Sequence, residues 1–382
     1  DTATNVTAGT LVAASTNALG TTTAGTVVSN GATLGLSGNI TLANESITLN
    51  GLGATGMAGA LTNISGTNTI PAGATVAPSD NTQQIGIGSL AGLLTVAAPI
   101  NLKYARLVTD GAGDTTLNGA ITATLPASPS LATLINYPTG TYSMTAAGQT
   151  FTAYVNNDGT NGWLLLGRGR EGWQFDADGQ GTTAAVSTGI GTSAAFAPAA
   201  YSDAIVNDLL AQAGINSTTA EFRIRRATDL AGTQPYQEGR WGGFTNPNFT
   251  FDFDAGSGIP VTATISPSAL AGSGGPSATN TRDSLTPFAN DAGRIFTWPW
   301  GGHNNQQGFS YGSGVNFGNN AAGSFVWEFA DENHAIPYAE FYIRGLNQVT
   351  PDNQLIKNGT GTVTLGGANT YPGATPINAG ML

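Results

Sequence analysis

The stretch that decides the fold runs from Val27 to Gly51 and reads VVSNGATLGLSGNITLANESITLNG. Short segments alternate apolar with polar residues, and each segment ends at Gly or Asn. Such alternation is typical of half-buried β-strands, and Gly and Asn tolerate the positive φ that tight corners need. We therefore predict a series of short strands. The apolar side chains expected to point the same way are Val27, Leu34, Leu36, Ile40, Leu42, Ile47 and Leu49.

Neighbouring segments repeat this pattern. Residues 9–20 read GTLVAASTNALG and residues 59–70 read GALTNISGTNTI. Short, evenly spaced strands of uniform composition favour a β-solenoid, in which each coil stacks on the next. An antiparallel β-sandwich is the alternative that the pattern leaves open.

Composition excludes several classes of protein. Only 9% of the 382 residues are charged, and the formal net charge of −11 argues against binding to nucleic acid or to anionic membranes. Cysteine is absent, so disulfides and cysteine–zinc sites are excluded. Every apolar run is too short to span a membrane, so we predict no membrane insertion. The 15 Phe, 10 Tyr and 6 Trp favour an ordered chain over a disordered one.

Charge marks the predicted domain boundaries. All 12 Lys and Arg lie between Lys103 and Lys357, and the only acids before Lys103 are Asp1, Glu45 and Asp80. A second kind of domain is therefore predicted inside the first. The predicted domains are a β-solenoid over 1–124, an inserted domain over 125–346 and the final solenoid rungs over 347–382.

The flanking segments resemble a known family. Residues 357–382, KNGTGTVTLGGANTYPGATPINAGML, resemble the passenger repeat of autotransporter-type bacterial surface proteins, which is a β-helix rung motif. Residues 6–20, VTAGTLVAASTNALG, are similar to the segment that normally comes after that motif in the family. The resemblance covers roughly 1–100 and 355–382. It implies a parallel β-solenoid in an extracellular protein at the cell surface.

The middle segment resembles a different family. Residues 130–144, SLATLINYPTGTYSM, and residues 151–173, FTAYVNNDGTNGWLLLGRGREGW, are similar to the opening of the fibrinogen-like domain of fibrinogen-related lectins and intelectins. Residues 327–344, WEFADENHAIPYAEFYIR, fit later strands. The resemblance implies an α+β lectin domain with its ligand site in the C-terminal part. The overall fold class is therefore mainly β. One helix is predicted from Tyr201, and Gly214 ends it.

A glycan site is predicted where aromatic, amide and histidine side chains gather. Flat rings suit the apolar face of a sugar, and Asn, Glu and His can pair with its hydroxyls. The alternative is that Trp298, Trp327 and Tyr338 belong to the core and that His334 is a buried, hydrogen-bonded histidine. The candidate residues are Trp298, Trp300, His303, Asn304, Asn305, Tyr311, Glu332, His334 and Tyr338.

Ca²⁺ is the one candidate ion, and no other cofactor is predicted. Carboxylates on Gly-rich loops suit calcium, and FDADGQG offers Asp176 and Asp178, while TRDSLTPFANDAG offers Asp283 and Asp291. None of these segments is a complete twelve-residue calcium loop. In FDFDAG (251–256), the two acids would share one strand face, which is also typical of a half-buried strand with its acids in water.

The arginines are predicted to form ion pairs. In RIRRA (223–227), strand alternation places Arg223 and Arg225 on one face and Arg226 on the other. Many acids lie nearby in the sequence. A site for a phosphate or an acidic sugar is the alternative.

Sequence signatures of catalysis are scarce, and we predict that the protein is not an enzyme. The chain has no H-E-x-x-H, and its single G-x-S-x-G match, GFSYG at 308–312, lacks the strand-to-helix context of a nucleophile elbow. A glycan-processing enzyme with paired carboxylates stays open as an alternative, because several acids lie near the predicted aromatic cluster. These acids are Glu328, Asp331, Glu332 and Glu340.

The expected function is that of an extracellular bacterial surface fibre or adhesin component that displays a glycan-binding domain. The segments INAGML (377–382) and VTAGTLV (6–12) resemble the same strand of the rung motif. The expected partners are therefore further copies of the chain, stacked head to tail, and surface glycans. The alternative is a purely structural filament or surface-layer subunit with no ligand.

Overall fold

The chain forms two compact units in a computed structural model. The solenoid unit comprises Asp1–Pro126 and Val349–Leu382, and the central unit comprises Ala127–Gln348. The structure describes residues 2–80, 82–169, 179–223, 225, 247–249 and 338–382, together with the strand backbones of 224, 226–227, 236–242, 259–266, 280–288, 291–297 and 309–312.

The solenoid unit is built from strands of two to six residues. Gly, Asn and Pro between them turn the chain from one strand to the next. Before the central unit these strands are β1 Thr4–Val6, β2 Gly9–Ala13, β3 Thr26–Val28, β4 Ala32–Leu36, β5 Ser46–Leu49, β6 Leu61–Asn63, β7 Thr67–Ile70, β8 Thr75–Pro78, β9 Gln84–Ser89, β10 Leu93–Val96, β11 Ile100–Asn101, β12 Arg106–Asp110, β13 Asp114–Leu117 and β14 Ile121–Thr122.

The central unit holds longer strands and few helices. In chain order the elements are β15 Gly140–Ala146, β16 Gln149–Asn157, β17 Gly162–Gly169, α1 Thr183–Val186, β18 Ala199–Ala200, α2 Asp203–Gln212, β19 Ala220–Ala227, β20 Tyr236–Gly242, β21 Ile259–Ser266, β22 Asn280–Phe288, β23 Asp291–Thr297, β24 Phe309–Gly312 and β25 Ala339–Gly345. Two strands then return to the solenoid unit, β26 Leu355–Lys357 and β27 Val363–Leu365.

Three parallel sheets make up the solenoid unit. Sheet A has the order β1-β3-β5-β8-β11-β14, sheet B the order β2-β4-β6-β9-β12-β26, and sheet C the order β7-β10-β13-β27. The first two coils add strands to sheets A and B alone, and from β5 onward the chain visits the sheets in the order A, B, C. The prediction of a parallel β-solenoid is confirmed, and the sandwich alternative is wrong, because the strands pair with the next coil and not with their sequence neighbours.

Aliphatic columns fill the solenoid interior. The register aligns Leu34, Leu61 and Ile87 in sheet B, and all three are fully buried. Burying such a side chain contributes about 1.5–3 kcal/mol. Of the seven side chains predicted to point inward, six are buried. The exception is Val27, which is half-buried because the register pairs its neighbour Val28 with Leu49 in the core column of sheet A.

Polar contacts within and between coils set the corners. The Asn63 amide donates to the carbonyls of Gly66 and Ala91, at 3.1 and 2.7 Å, and to Ser89 Oγ at 3.0 Å. Close coil stacking also excludes side chains at particular points. A Cβ on Gly88 would lie 2.1 Å from the carbonyl oxygen of Asp110 on the next coil.

The solenoid register continues after the central unit. β26 pairs with β12, and β27 pairs with β13. The returning chain is fixed by Asn353 (φ 44°), whose amide donates to the carbonyls of Lys103 and Ala105. A further coil then begins, because Lys357 pairs with Ile377 and Thr362 pairs with Met381.

The central unit packs helices against an antiparallel sheet. On one face, Phe222 stacks on Phe249 and Phe341, with ring centroids 5.2 and 5.6 Å apart. The predicted helix is confirmed as α2, which begins after Tyr201, since Ser202 is the N-cap and accepts a bond from the Ile205 amide. Gly214 follows its end with φ +68°.

Candidate functional site

The structure describes few of the predicted site residues. Strands β22, β23 and β24 contain Asp283, Asp291 and Tyr311, and only the backbone of these strands is described. Tyr338 is described with its side chain. The predicted residues that lie outside the described residues are Asp176, Asp178, Trp298, Trp300, His303, Asn304, Asn305, Glu332 and His334.

Tyr338 directly precedes β25 and begins an alternating series that continues along this strand. Tyr338, Glu340 and Tyr342 share one strand face, and all three are buried. The Glu340 carboxylate accepts hydrogen bonds from both tyrosine hydroxyls, at 3.2 Å from Tyr338 and 2.7 Å from Tyr342. It also lies 3.6 Å from Nη1 of Arg225, its partner across the sheet. The buried Tyr338 ring, 5.9 Å from that of Phe196, is therefore part of the packed interior.

The guanidinium of Arg223 lies between two aromatic rings on the same sheet face. Its Cζ is 4.4 Å from the ring centroids of Trp163 and Tyr342. Nη2 donates to Asn156 Oδ1 at 2.7 Å, and Nη1 lies 3.5 Å from the Asp158 carboxylate. The predicted ion pairs of Arg223 and Arg225 are thus confirmed, while the Arg226 side chain lies outside the described residues.

Electrostatics fix the charge states in this group. Burial by itself would raise the pKa of Asp158, but hydrogen bonds from Trp163 Nε1 and from the Asn161 and Thr160 amides, together with Arg223, hold this pKa below its ordinary value. Burial raises the pKa of Tyr342, and the Glu340 charge raises it further. The tyrosine therefore stays protonated and can donate to Glu340.

The arrangement stabilises the sheet. Two cations face two carboxylates, and aromatic rings shield them from water, so each charge has a partner. Glu340 is the one described member of the predicted carboxylate set, and its oxygens are occupied by tyrosine hydroxyls. Glu328, Asp331 and Glu332 lie outside the described residues. The sequence analysis missed Trp163, Asp158 and Tyr342, although Trp163 and Asp158 lie in the segment NNDGTNGW (156–163) on which the fibrinogen-like resemblance rests.

Arg168 has a different role from the other arginines. Its guanidinium is buried and donates to the carbonyls of Ala185, Thr188, Ala195 and Ala197. Main-chain oxygens therefore solvate this charge, and they fix the loop around α1 against β17.

The described part of the chain shows neither a metal-binding cluster nor a membrane-spanning helix. Within that part, no three His, Asp or Glu side chains lie close enough together to hold a metal ion. Among the described helices, none is both long and apolar enough to cross a bilayer.

The solenoid surface offers a recess and two coil edges. The recess has a volume of about 300 Å³. At one edge Leu11 and Val12 of β2 are 39% and 46% exposed, and at the other Ile377 and Met381 are 51% and 65% exposed. Asn30, Asn50, Gly51, Thr82, Gln83 and Gln84 line the recess, at the corner between sheets A and B.

Comparisons with known proteins address both units. Residues 355–382 match the family model described as Passenger-associated-transport-repeat. No curated protein matches the chain. A similar solved structure is the fibrinogen-like globe domain of human ANGPTL6, with a TM-score of 0.31 and 12% identity, covering 58% of this chain and 98% of that one. The matched repeat forms β26, β27 and the start of the next coil, and it indicates a secreted, autotransporter-type passenger.

Proposed function

We propose that the chain is a component of an extracellular bacterial surface fibre or adhesin, in which the solenoid unit forms the stalk and the central unit binds a glycan. The observation that carries the proposal is the passenger-associated repeat at 355–382, which lies on continuous parallel coils. The coils stack along sheets A and B throughout and along sheet C from β7 onward, and such one-dimensional stacking suits an extended stalk.

Glycan binding rests on the sequence of the central unit. The segment WPWGGHNNQQGFSYG (298–312) combines Trp300 with His303 and several amides. Tryptophan presents a flat apolar face, and the imidazole and amides supply donors and acceptors for sugar hydroxyls. No acidic side chain occurs in this segment, so the expected chemistry is recognition, and the protein is proposed not to be an enzyme.

A glycan array probed with the whole chain tests this function. We expect the wild-type protein to bind a defined set of glycans, and Trp300→Ala and His303→Ala to lose at least tenfold in affinity. Leu52→Ala is the control, because Leu52 is an exposed side chain of the solenoid unit. Absence of binding to every glycan, or equal binding by all four proteins, would contradict the proposal.

A structural filament is the second candidate function. The outer edges of β1 and β2 have no strand partner among the described residues, and no charged residue occurs between 2 and 44 or between 358 and 382. Charged side chains normally protect such edges from pairing. The proposed partner is a further copy whose coil continues the A, B, C succession. Residues 6–12 form the corner between sheets A and B, and residues 377–382 form the corner between sheets B and C. In a filament the first segment of one copy would therefore come after the last segment of the previous copy along the coil, and the two would not stack on each other.

Substitutions at the coil edges test the filament. Leu11→Lys and Met381→Lys place a charge on opposite edges, whereas Leu52→Lys places one at a corner away from them. We expect electron microscopy of wild type and Leu52→Lys to show fibres at high concentration, and both edge variants to remain short. Monodisperse wild-type monomers under the same conditions would contradict the filament and leave the glycan test unaffected.

A further inference from the structure

Several asparagines of this chain precede a hydroxyl residue by two positions. The triplet Asn-x-Ser/Thr is the acceptor signal for N-linked saccharides. Since Asn, Ser and Thr are abundant, the triplet alone says little, and the exposure and bonding of each amide must discriminate. The triplets begin at Asn5, Asn39, Asn44, Asn63, Asn216, Asn248 and Asn358.

Asn39 presents its amide nitrogen to solvent. It is exposed, its backbone has φ +56°, and its Oδ1 accepts a bond from the Thr67 amide of the next coil at 2.7 Å. This bond orients the carboxamide so that Nδ2 is left without a partner among the described residues. Ile40 points inward and is 8% exposed, while Thr41, the hydroxyl residue of the triplet, is exposed like Asn39.

Asn44 has the same arrangement at the next corner. Its side chain is exposed and makes no hydrogen bond among the described residues, and it lies over Gly73, where a Cβ would be 2.5 Å from Asn44 Oδ1. Glu45 turns inward, is 2% exposed and accepts a bond from Thr26 Oγ1 at 2.8 Å. The buried Glu45 thereby fixes Asn44 and Ser46 on the outside.

Asn63 provides the contrast inside the same unit. Its triplet is equally complete, but the side chain is fully buried, and Nδ2 donates to Gly66 of its own coil and to Ser89 and Ala91 of the next coil. A transferase could reach this amide only if sheet B opened. The triplets at 39 and 63 are therefore identical in kind, Asn-Ile-Thr and Asn-Ile-Ser, and opposite in accessibility.

We propose that Asn39 and Asn44 are N-glycosylation sites of the folded solenoid and that Asn63 is not. The donor class is a sugar activated as a phosphate ester. Nδ2 forms a bond to the anomeric carbon, the bond from that carbon to the phosphate oxygen breaks, and the amide proton passes to a base of the transferase. Saccharides would also hydrate a segment whose only acids before Lys103 are Asp1, Asp80 and the buried Glu45.

Mass spectrometry of the full chain isolated from its native host tests the assignment. Trypsin would leave all three asparagines on one peptide, because the first basic residue is Lys103. Cleavage after Glu45 separates Asn39 and Asn44 from Asn63. We expect saccharide mass increments on the first peptide, assigned to these asparagines by electron-transfer fragmentation, and none at Asn63. Native protein without saccharide at Asn39 and Asn44 would overturn the proposal.

Reactions in vitro test whether the exposure of the asparagine amide, and not the triplet alone, decides which sites are modified. The folded chain is incubated with a transferase specific for the triplet, in one arm with a sugar nucleotide and in the other with a lipid-linked donor. We expect modification in at least one arm. Thr41→Val should abolish it at Asn39 and Ser46→Ala should abolish it at Asn44, whereas Ser65→Ala, in the triplet of Asn63, should change nothing. The unfolded chain should accept saccharide at Asn63 as well. Equal modification of Asn63 in the folded chain would overturn the proposal.

Discussion

The solenoid unit and the central unit bury different kinds of side chain. In the solenoid unit the interior consists of aliphatic columns, and its buried polar groups are chiefly Asn and Thr that bond to the backbone of the next coil. In the central unit Arg223, Glu340 and Arg168 are buried with aromatic rings or carbonyls around them. Among the described residues, the solenoid unit buries only two charged side chains, Glu45 and Lys357, whereas the core of the central unit is organised around charge.

The difference follows from how the strands pair. Parallel coils repeat the same position about every 4.8 Å, so a charge in one coil would meet an apolar column above and below it. Small polar groups that reach the neighbouring backbone avoid that cost, and the two buried charges, Glu45 and Lys357, are each hydrogen-bonded. In the antiparallel sheet, each residue faces a partner of another type, and Arg225 can lie opposite Glu340. The two units should therefore be sensitive to different substitutions.

The largest expected effect is the loss of a buried charge. Arg223→Met leaves Asp158 and Asn156 without their cation and removes the contacts with Trp163, so we expect a loss of about 3–5 kcal/mol in the stability of the central unit. Arg106→Met breaks the Arg106–Asp352 pair of the solenoid unit, which is 40% and 34% exposed, and should cost at most about 1 kcal/mol.

Fluorescence and circular dichroism can report these two losses separately. All six tryptophans lie between Trp163 and Trp327, so urea unfolding followed by tryptophan fluorescence reports the central unit. Far-UV circular dichroism reports the solenoid unit in addition. Equal losses in the two variants would show that the contrast between the units is wrong.

The next effect is backbone crowding at a contact between two coils of the solenoid unit. A Cβ at Gly88 would lie 2.1 Å from the Asp110 carbonyl oxygen, so we expect Gly88→Ala to cost about 3 kcal/mol. Gly148→Ala in the central unit meets no atom within 4 Å, and its φ of +73° should cost about 1–2 kcal/mol. A smaller loss for Gly88→Ala than for Gly148→Ala in thermal unfolding would mean that the coils can separate.

How much of this could be predicted depends on the range of the interactions. The period-two pattern around Leu34 and Ile47 and the corner glycines are local, and they predicted the strands and their stacking. The exception, Val27, arose because β3 is only three residues long and its register is set by β5. Arg223 between Trp163 and Tyr342 depends on strands far apart in sequence, and no local pattern indicates which aromatic ring will meet which cation.

Two tyrosine-to-phenylalanine substitutions in the central unit should change its stability in opposite directions. The Tyr201 hydroxyl is buried and has no hydrogen-bond partner among the described residues, so Tyr201→Phe should raise stability by about 1 kcal/mol. Tyr342→Phe removes a donor 2.7 Å from Glu340 and should lower stability by about 1–3 kcal/mol. Chemical denaturation of both variants checks the signs, and destabilisation by Tyr201→Phe would indicate a bonded hydroxyl.

The smallest expected effect tests the one lysine in a solenoid column. Lys357 is 1% exposed, lies next to Thr109 in sheet B and donates to the carbonyls of Asn358 and Gly359. Burial lowers the pKa of Lys357 below its ordinary value of 10.5, and Asp110 partly opposes this shift. The unfolded chain therefore binds more protons than the folded chain as pH rises from the folded pKa towards 10.5.

Stability should consequently increase with pH across that window. Lys357→Met cannot show this increase, whereas the tyrosines titrate in both proteins and cancel in the difference between them. Urea unfolding from pH 7 to 10.5, followed by circular dichroism, should give a difference that grows in favour of the wild type. Parallel profiles would mean that the ammonium group is hydrated in the folded chain. Arg223 cannot lose its proton in this pH range, since a guanidinium stays protonated throughout. The central unit therefore depends on permanent ion pairing, whereas Lys357 of the solenoid unit can become neutral.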